Sequence, residues 1–148
     1  MLWLPAQAMN ASFYPATTVQ PHADLAPRRI LVVDDDEGTR RAIAILLSGE
    51  YDVTTAADGI DGLEEAVLNP PDLIIADVWM PRADGVMMVR RMKQIDALRG
   101  VPVIFLTGQV SVQSMVAGIS AGAWAYLPKP IDPDILERKV RGALARHA

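Results

Sequence analysis

Five short apolar runs, each followed by a stretch of helical period, constrain this chain more than any other feature. RILVV (Arg29–Val33) precedes a segment with Ile43, Leu46 and Leu47 at i, i+3 and i+4. YDVTTA (Tyr51–Ala56), rich in β-formers, precedes Ile60, Leu63 and Val67, and Asn69-Pro70-Pro71 stops that helix. LIIA (Leu73–Ala76) precedes Val86, Val89 and either Met92 or Lys93, and VPVIFL (Val101–Leu106) precedes Val112, Met115, Val116 and Ile119 on one helical face. AWAYL (Ala123–Leu127), a weaker strand, leads to a helix with Asp132 as N-cap and Pro133 at its first position, carrying Ile135, Leu136, Val140, Ala143 and Leu144. Strands without polar alternation, separated by amphipathic helices, are buried on both faces. The expected fold is therefore α/β: a doubly wound, five-stranded parallel sheet with helices on both faces.

The alternation starts near residue 29. Residues 1–28 hold Pro5, Pro15, Pro21 and Pro27, little charge and no sustained period, and are expected to form an extended or disordered N-terminal arm. Residues 29–148 then make one domain, which a chain of 148 residues suits. A formal net charge of −4 gives no basic footprint for direct binding of nucleic acid. The absence of cysteine excludes disulfides and cysteine-based zinc sites and fits a reducing compartment. No apolar run reaches the length of a membrane span, and the start has no basic n-region, so a cytoplasmic location is expected.

Ligand sites of open α/β sheets lie outside the carboxyl ends of the strands. The first strand ends in Asp34-Asp35-Asp36-Glu37, the third in Asp77 and the fourth in Thr107-Gly108, while Lys129-Pro130 follows the fifth. Carboxylates crowded against an apolar wall repel one another, and a hard divalent cation resolves the conflict. Oxygen-only donors suit Mg²⁺, with Mn²⁺ as an alternative. One carboxylate can then attack a phosphoryl group and carry it as an aspartyl phosphate, with the metal, a hydroxyl and an ammonium on the phosphoryl oxygens.

At these residues the sequence resembles the response-regulator receiver domains of two-component signalling, over about residues 29 to 146. The resemblance rests on ILVVDDD, on D-x-x-M-P-x-x-D-G from Asp77 to Gly85, on FLTG and on YLPKP, in order and at family-like spacing. It implies the flavodoxin-like strand order 2-1-3-4-5. It also implies Asp77 as phosphoacceptor, Asp35 as direct metal ligand, Asp34 acting on the metal through water, and the Trp79 backbone carbonyl as a further ligand. Thr107 matches the switch hydroxyl, Tyr126 the aromatic that turns inward with it, and Lys129 the ammonium on a phosphoryl oxygen, in a cis Lys129–Pro130 peptide.

The implied function is a phosphorylation-activated receiver, charged by a histidine kinase or a histidine phosphotransfer protein. It would signal to a protein target through the face of the fourth helix, fifth strand and last helix, a face that also leaves a homodimer open. Self-phosphorylation and autodephosphorylation are expected, without turnover of an outside substrate. A single-domain receiver is the expectation, the alternative being a fragment of a longer response regulator or hybrid kinase.

Each residue also has a plainer reading. Asp36 and Glu37 suit a helix start, Asp84 a turn with Gly85, and Lys129 alone would be a solvated surface lysine. His22 and His147 lie in terminal segments and carry no expected role. A phosphohydrolase of the haloacid-dehalogenase type needs a second acid two residues after its nucleophile, where this chain has Trp79. A purely structural receiver would lack Asp35, Asp77 or Lys129, and all are present. Trp79 and Gln109 occupy the positions at which the family tunes loss of phosphate, and Ile131 replaces an aromatic that often follows Lys-Pro.

Overall fold

All five apolar runs pair into one sheet. The computed structural model describes residues 26–80, 82–108 and 112–146. The expected arm up to residue 25, Gln109 and His147 lie outside the described residues. The strands are β1 (Arg29–Val33), β2 (Asp52–Ala56), β3 (Leu73–Asp77), β4 (Val103–Thr107) and β5 (Ala125–Pro128). The helices are α1 (Glu37–Leu47), α2 (Gly59–Leu68), α3 (Gly85–Met92), α4 (Val112–Ser120) and α5 (Pro133–Arg146). Every strand pairing is parallel, in the order β2-β1-β3-β4-β5, as the resemblance implied.

Strand burial explains the apolar runs. β3 and β4 are buried at every residue and β1 at all but Arg29, whereas edge strand β2 leaves Thr54 and Thr55 exposed. Successive side chains point to opposite faces, so two cores form. Leu31, Val33, Ile74, Ala76 and Phe105 meet Ala66, Met88, Val89 and Met92 on one side. Ile30, Val32, Ile75, Ile104 and Leu106 meet Ile43, Leu47, Leu136 and Val140 on the other. Truncating one of the fully buried leucines or isoleucines, such as Leu31 or Ile75, to alanine would cost about 2–5 kcal/mol. The central strands are thus a stiff base for whatever stands at their ends.

Four aspartates begin helices. Asp36 accepts from Thr39 N at 2.9 Å, Asp58 from Asp61 N at 2.8 Å, Asp84 from Met87 N at 2.8 Å and Asp132 from Asp134 N at 2.9 Å. Each such cap contributes about 1 kcal/mol. Asp84, expected in a turn, instead starts α3. β4 begins two residues later than the apolar pattern suggested, because Val101 N still bonds Leu98 O and Pro102 has no N–H to give.

Two helical faces differ from expectation. On α2, Ile60 and Val67 are exposed, Leu63 is partly buried against the core, and Gly62 and Ala66 are the buried residues on that side, while Gly59 abuts Ala83. A Cβ on Gly62 would lie 2.8 Å from a Val33 methyl and 3.1 Å from Met88 Sδ, so the helix seats too close for larger residues. On α4, Met115, Val116 and Ile119 face solvent, and Gly118 turns toward Phe105 and Tyr126. Three of the four residues expected to bury that helix, Met115, Val116 and Ile119, are instead exposed.

Candidate functional site

β1 and β3 are neighbours, so their carboxyl ends bring two sets of carboxylates together. Asp34 follows β1 directly and is fully buried. Its amide donates to Ala56 O at 3.1 Å, and its Oδ1 accepts from Asp36 N at 2.9 Å. Asp35, the next residue, is exposed. Asp77 is the last residue of β3 and 7% exposed. Its Oδ1 accepts from Trp79 N at 3.1 Å, which places the Trp79 backbone beside it.

Asp34, Asp35 and Asp77 each offer a carboxylate oxygen, all within 4.8 Å of one another. Lys129 is the cation among them: its Nζ lies 2.7 Å from Asp34 Oδ2 and 3.1 Å from Asp77 Oδ2. Burial raises the pKa of Asp77, and the Asp34 charge adds to it against the opposing hydrogen bonds from Lys129 and Trp79. Burial pulls the Lys129 ammonium down, but the hydrogen bonds to Asp34 and Asp77 outweigh it and its pKa stands above the ordinary lysine value. Three carboxylates against one ammonium leave the cluster short of positive charge. A hard divalent cation with oxygen ligands fits that deficit and that donor set.

Thr107 ends β4 beside the cluster, fully buried, and its carbonyl accepts the Lys129 amide at 2.7 Å. Lys129–Pro130 is cis. Tyr126 pairs with Phe105 across β4 and β5, and its partly buried ring lies against Gly118. Among the described residues, its buried hydroxyl has no hydrogen-bond partner. The fold thus brings Asp34, Asp35, Asp77, Trp79, Thr107 and Lys129 to one edge, with Tyr126 behind them on β5. Glu37 lies outside the cluster on α1, and its carboxylate pairs with Arg41 at 3.3 Å.

Two contacts had no signal in the sequence pattern. One is the direct Asp34–Lys129 bond, between residues 95 apart in the chain. The other is Arg40, whose Nη1 donates to Asp34 O at 2.6 Å from the first turn of α1.

A family model described as "Response regulator receiver domain" matches residues 30–141. The chain belongs to that family. The receiver domain is 40% identical over 121 residues to the response regulator MprA of Mycobacterium sp. (strain KMS), covering 81% of this chain and 52% of that protein. It is 37% identical over 119 residues to the DNA-binding dual master transcriptional regulator RpaA of Synechocystis sp., covering 80% of this chain and 49% of that protein. It thus spans about half the length of these curated relatives. Among solved structures, the chemotaxis protein CheY4 of Vibrio cholerae superposes with a TM-score of 0.76 at 32% identity, covering 80% of this chain and all of that one. A CheY-like receiver domain protein of Methanospirillum hungatei gives 0.78 at 29% identity, covering 82% and 97%. The receiver domain is thus of the two-component response-regulator class. Among its described residues no helix is long and apolar enough to cross a membrane.

Proposed function

We propose that this receiver domain takes a phosphoryl group from a histidine kinase or a histidine phosphotransfer protein onto Asp77, with Mg²⁺ as cofactor. The observation that carries this is the cluster itself: three carboxylates and one ammonium at adjoining strand ends, with a buried hydroxyl residue at the next. Asp34, Asp35 and Asp77, with the Trp79 carbonyl, would hold the cation. When bound, the cation neutralises the carboxylates and takes up charge on the phosphoryl oxygens.

An Asp77 oxygen attacks phosphorus as the bond from phosphorus to the donor atom breaks, and the donor leaves with that electron pair. Positioning supplies much of the rate in such transfers. Lys129 already touches an Asp77 oxygen at 3.1 Å, so it needs only a small shift to reach a phosphoryl oxygen. Thr107, at the end of β4, would donate its hydroxyl to another. That contact exists only in the phosphorylated state and biases the domain toward it. Tyr126 and α4 then follow.

The exposed Met115, Val116 and Ile119 of α4 give the α4–β5–α5 face an apolar patch for a protein target or a second copy. No acid stands two residues beyond Asp77, where Trp79 is 52% exposed, so an outside substrate would not be turned over. The test is chemical. Incubation with acetyl phosphate and Mg²⁺ should give a modified protein that hydroxylamine restores, since hydroxylamine cleaves acyl phosphates and spares phosphate esters. Modification that survives hydroxylamine would overturn the reading.

A further inference from the structure

Arg82 lies between β3 and α3, three residues beyond Trp79 and away from the acid cluster. Its Nη1 is 2.9 Å from Asp58 Oδ2 and 3.8 Å from Asp61 Oδ1. Asp58 is buried, at 6% exposure, although it stands in the turn between β2 and α2. Its second oxygen caps α2 through Asp61 N. Beside the ion pair, Gly59 N donates to Ala83 O at 3.1 Å. Two links, one ionic and one backbone, therefore fasten the β3–α3 segment to the β2–α2 turn.

That turn is tied to the acid cluster. Ala56, at the end of β2, accepts the amide of Asp34 at 3.1 Å. The Trp79 backbone is in turn held to Asp77 through its own amide. Each side of the Asp58–Arg82 pair therefore lies close in the chain to a residue bonded to the cluster: Ala56, two residues before Asp58, holds Asp34, and Trp79, three residues before Arg82, is bonded to Asp77. We propose that Arg82 is a positioning residue for the cation, with the Asp58–Arg82 pair setting where the Trp79 carbonyl stands relative to Asp34, Asp35 and Asp77. This rests on the metal reading given above.

Charge and position act in opposite directions here, which makes the pair testable. By Coulomb's law alone, removing the Arg82 charge should tighten binding of a divalent cation. Loosening the segment that carries a ligand should weaken it. The half-exposed guanidinium leaves room for only a moderate effect.

Calorimetric titration of the intact protein with MgCl₂ should show Arg82→Ala binding about three- to tenfold more weakly than wild type. Arg82→Lys should recover part of the loss. Asp58→Asn, which keeps an oxygen for the cap, should weaken binding similarly, and the double variant should lose no more than either single one. Urea unfolding of each variant without metal shows that it is folded before titration. Wild-type or tighter binding by Arg82→Ala, or losses that add in the double variant, would overturn the inference while leaving the metal reading standing. Failure of the wild type to bind Mg²⁺ would overturn both.

Discussion

Lys129 Nζ lies closer to Asp34, at 2.7 Å, than to Asp77, at 3.1 Å. The lysine that the proposed chemistry needs at the acceptor is thus held in place by a neighbouring, fully buried carboxylate. Asp34 keeps the ammonium within one contact of Asp77, and Lys129 offsets part of the repulsion that Asp77 meets from Asp34. The same ammonium opposes a second cation in the cluster.

Replacing Lys129 with methionine should therefore strengthen Mg²⁺ binding while weakening phosphoryl uptake. Removing a like charge a few ångströms from the metal at a partly screened site contributes about 1–2 kcal/mol, roughly five- to thirtyfold in affinity. Calorimetric titration of Lys129→Met would check this. Equal or weaker Mg²⁺ binding would mean that Lys129 does not compete with the cation.

The second prediction concerns stability. The folded pKa of Asp77 is raised, chiefly by burial, so the native state holds this proton more tightly than the unfolded chain does. By linkage, the ionised carboxylate costs stability at neutral pH, and the cost is relieved as pH falls through the raised folded value. Asp77→Asn should then be more resistant to urea than wild type at pH 7 in EDTA. The gap should narrow as the solution is acidified through the carboxylate range. A destabilised Asp77→Asn would contradict this.

The third prediction concerns Tyr126. A Cβ on Gly118 would lie 3.0 Å from Phe105 Cδ2 and 3.2 Å from Tyr126 Cδ2, tighter than ordinary contact. Gly118→Ala should displace the Tyr126 ring outward, because Phe105 is fully buried and has less room to give. Fluorotyrosine NMR, with Tyr126→Phe to assign the signal, should show Tyr126 moving toward a solvent-exposed shift. It should also show a smaller response to beryllofluoride than in wild type. An unmoved resonance would mean that α4 shifts instead.

Strands and acids were legible in the sequence because each is local. An apolar run that ends in carboxylates, such as Ile30–Val33 before Asp34, declares both a buried strand and its functional end. The helical faces of α1, α3 and α5 were legible too, through Ile43 and Leu47, Val89 and Met92, and Leu136 and Val140, but those of α2 and α4 were not. On α2 Leu63 packs inward as expected, but the fully buried residues are Gly59, Gly62 and Ala66, which a search for large apolar residues passes over in favour of Ile60 and Val67. Close packing of helix on sheet selects small residues there, and hydropathy alone does not register that choice. On α4, Met115, Val116 and Ile119 form an apolar stripe that faces solvent, and a periodic apolar pattern does not by itself distinguish such an exposed stripe from a core face.

The residues that act through others were also hidden. Arg82 and Asp58 sit in loops, and nothing about either one's neighbours in the chain announces the 2.9 Å contact between them. The strand order, carried by resemblance, was needed before β2 and β3 could be placed on either side of β1.

Intact mass after incubation with acetyl phosphate tests the central claim most directly. Wild-type protein with Mg²⁺ should gain the mass of one phosphoryl group, about 80 Da, while wild type in EDTA and Asp77→Asn with Mg²⁺ should gain none. A stable gain of one phosphoryl group on Asp77→Asn, or labelling of the wild type that EDTA leaves unchanged, would contradict the account.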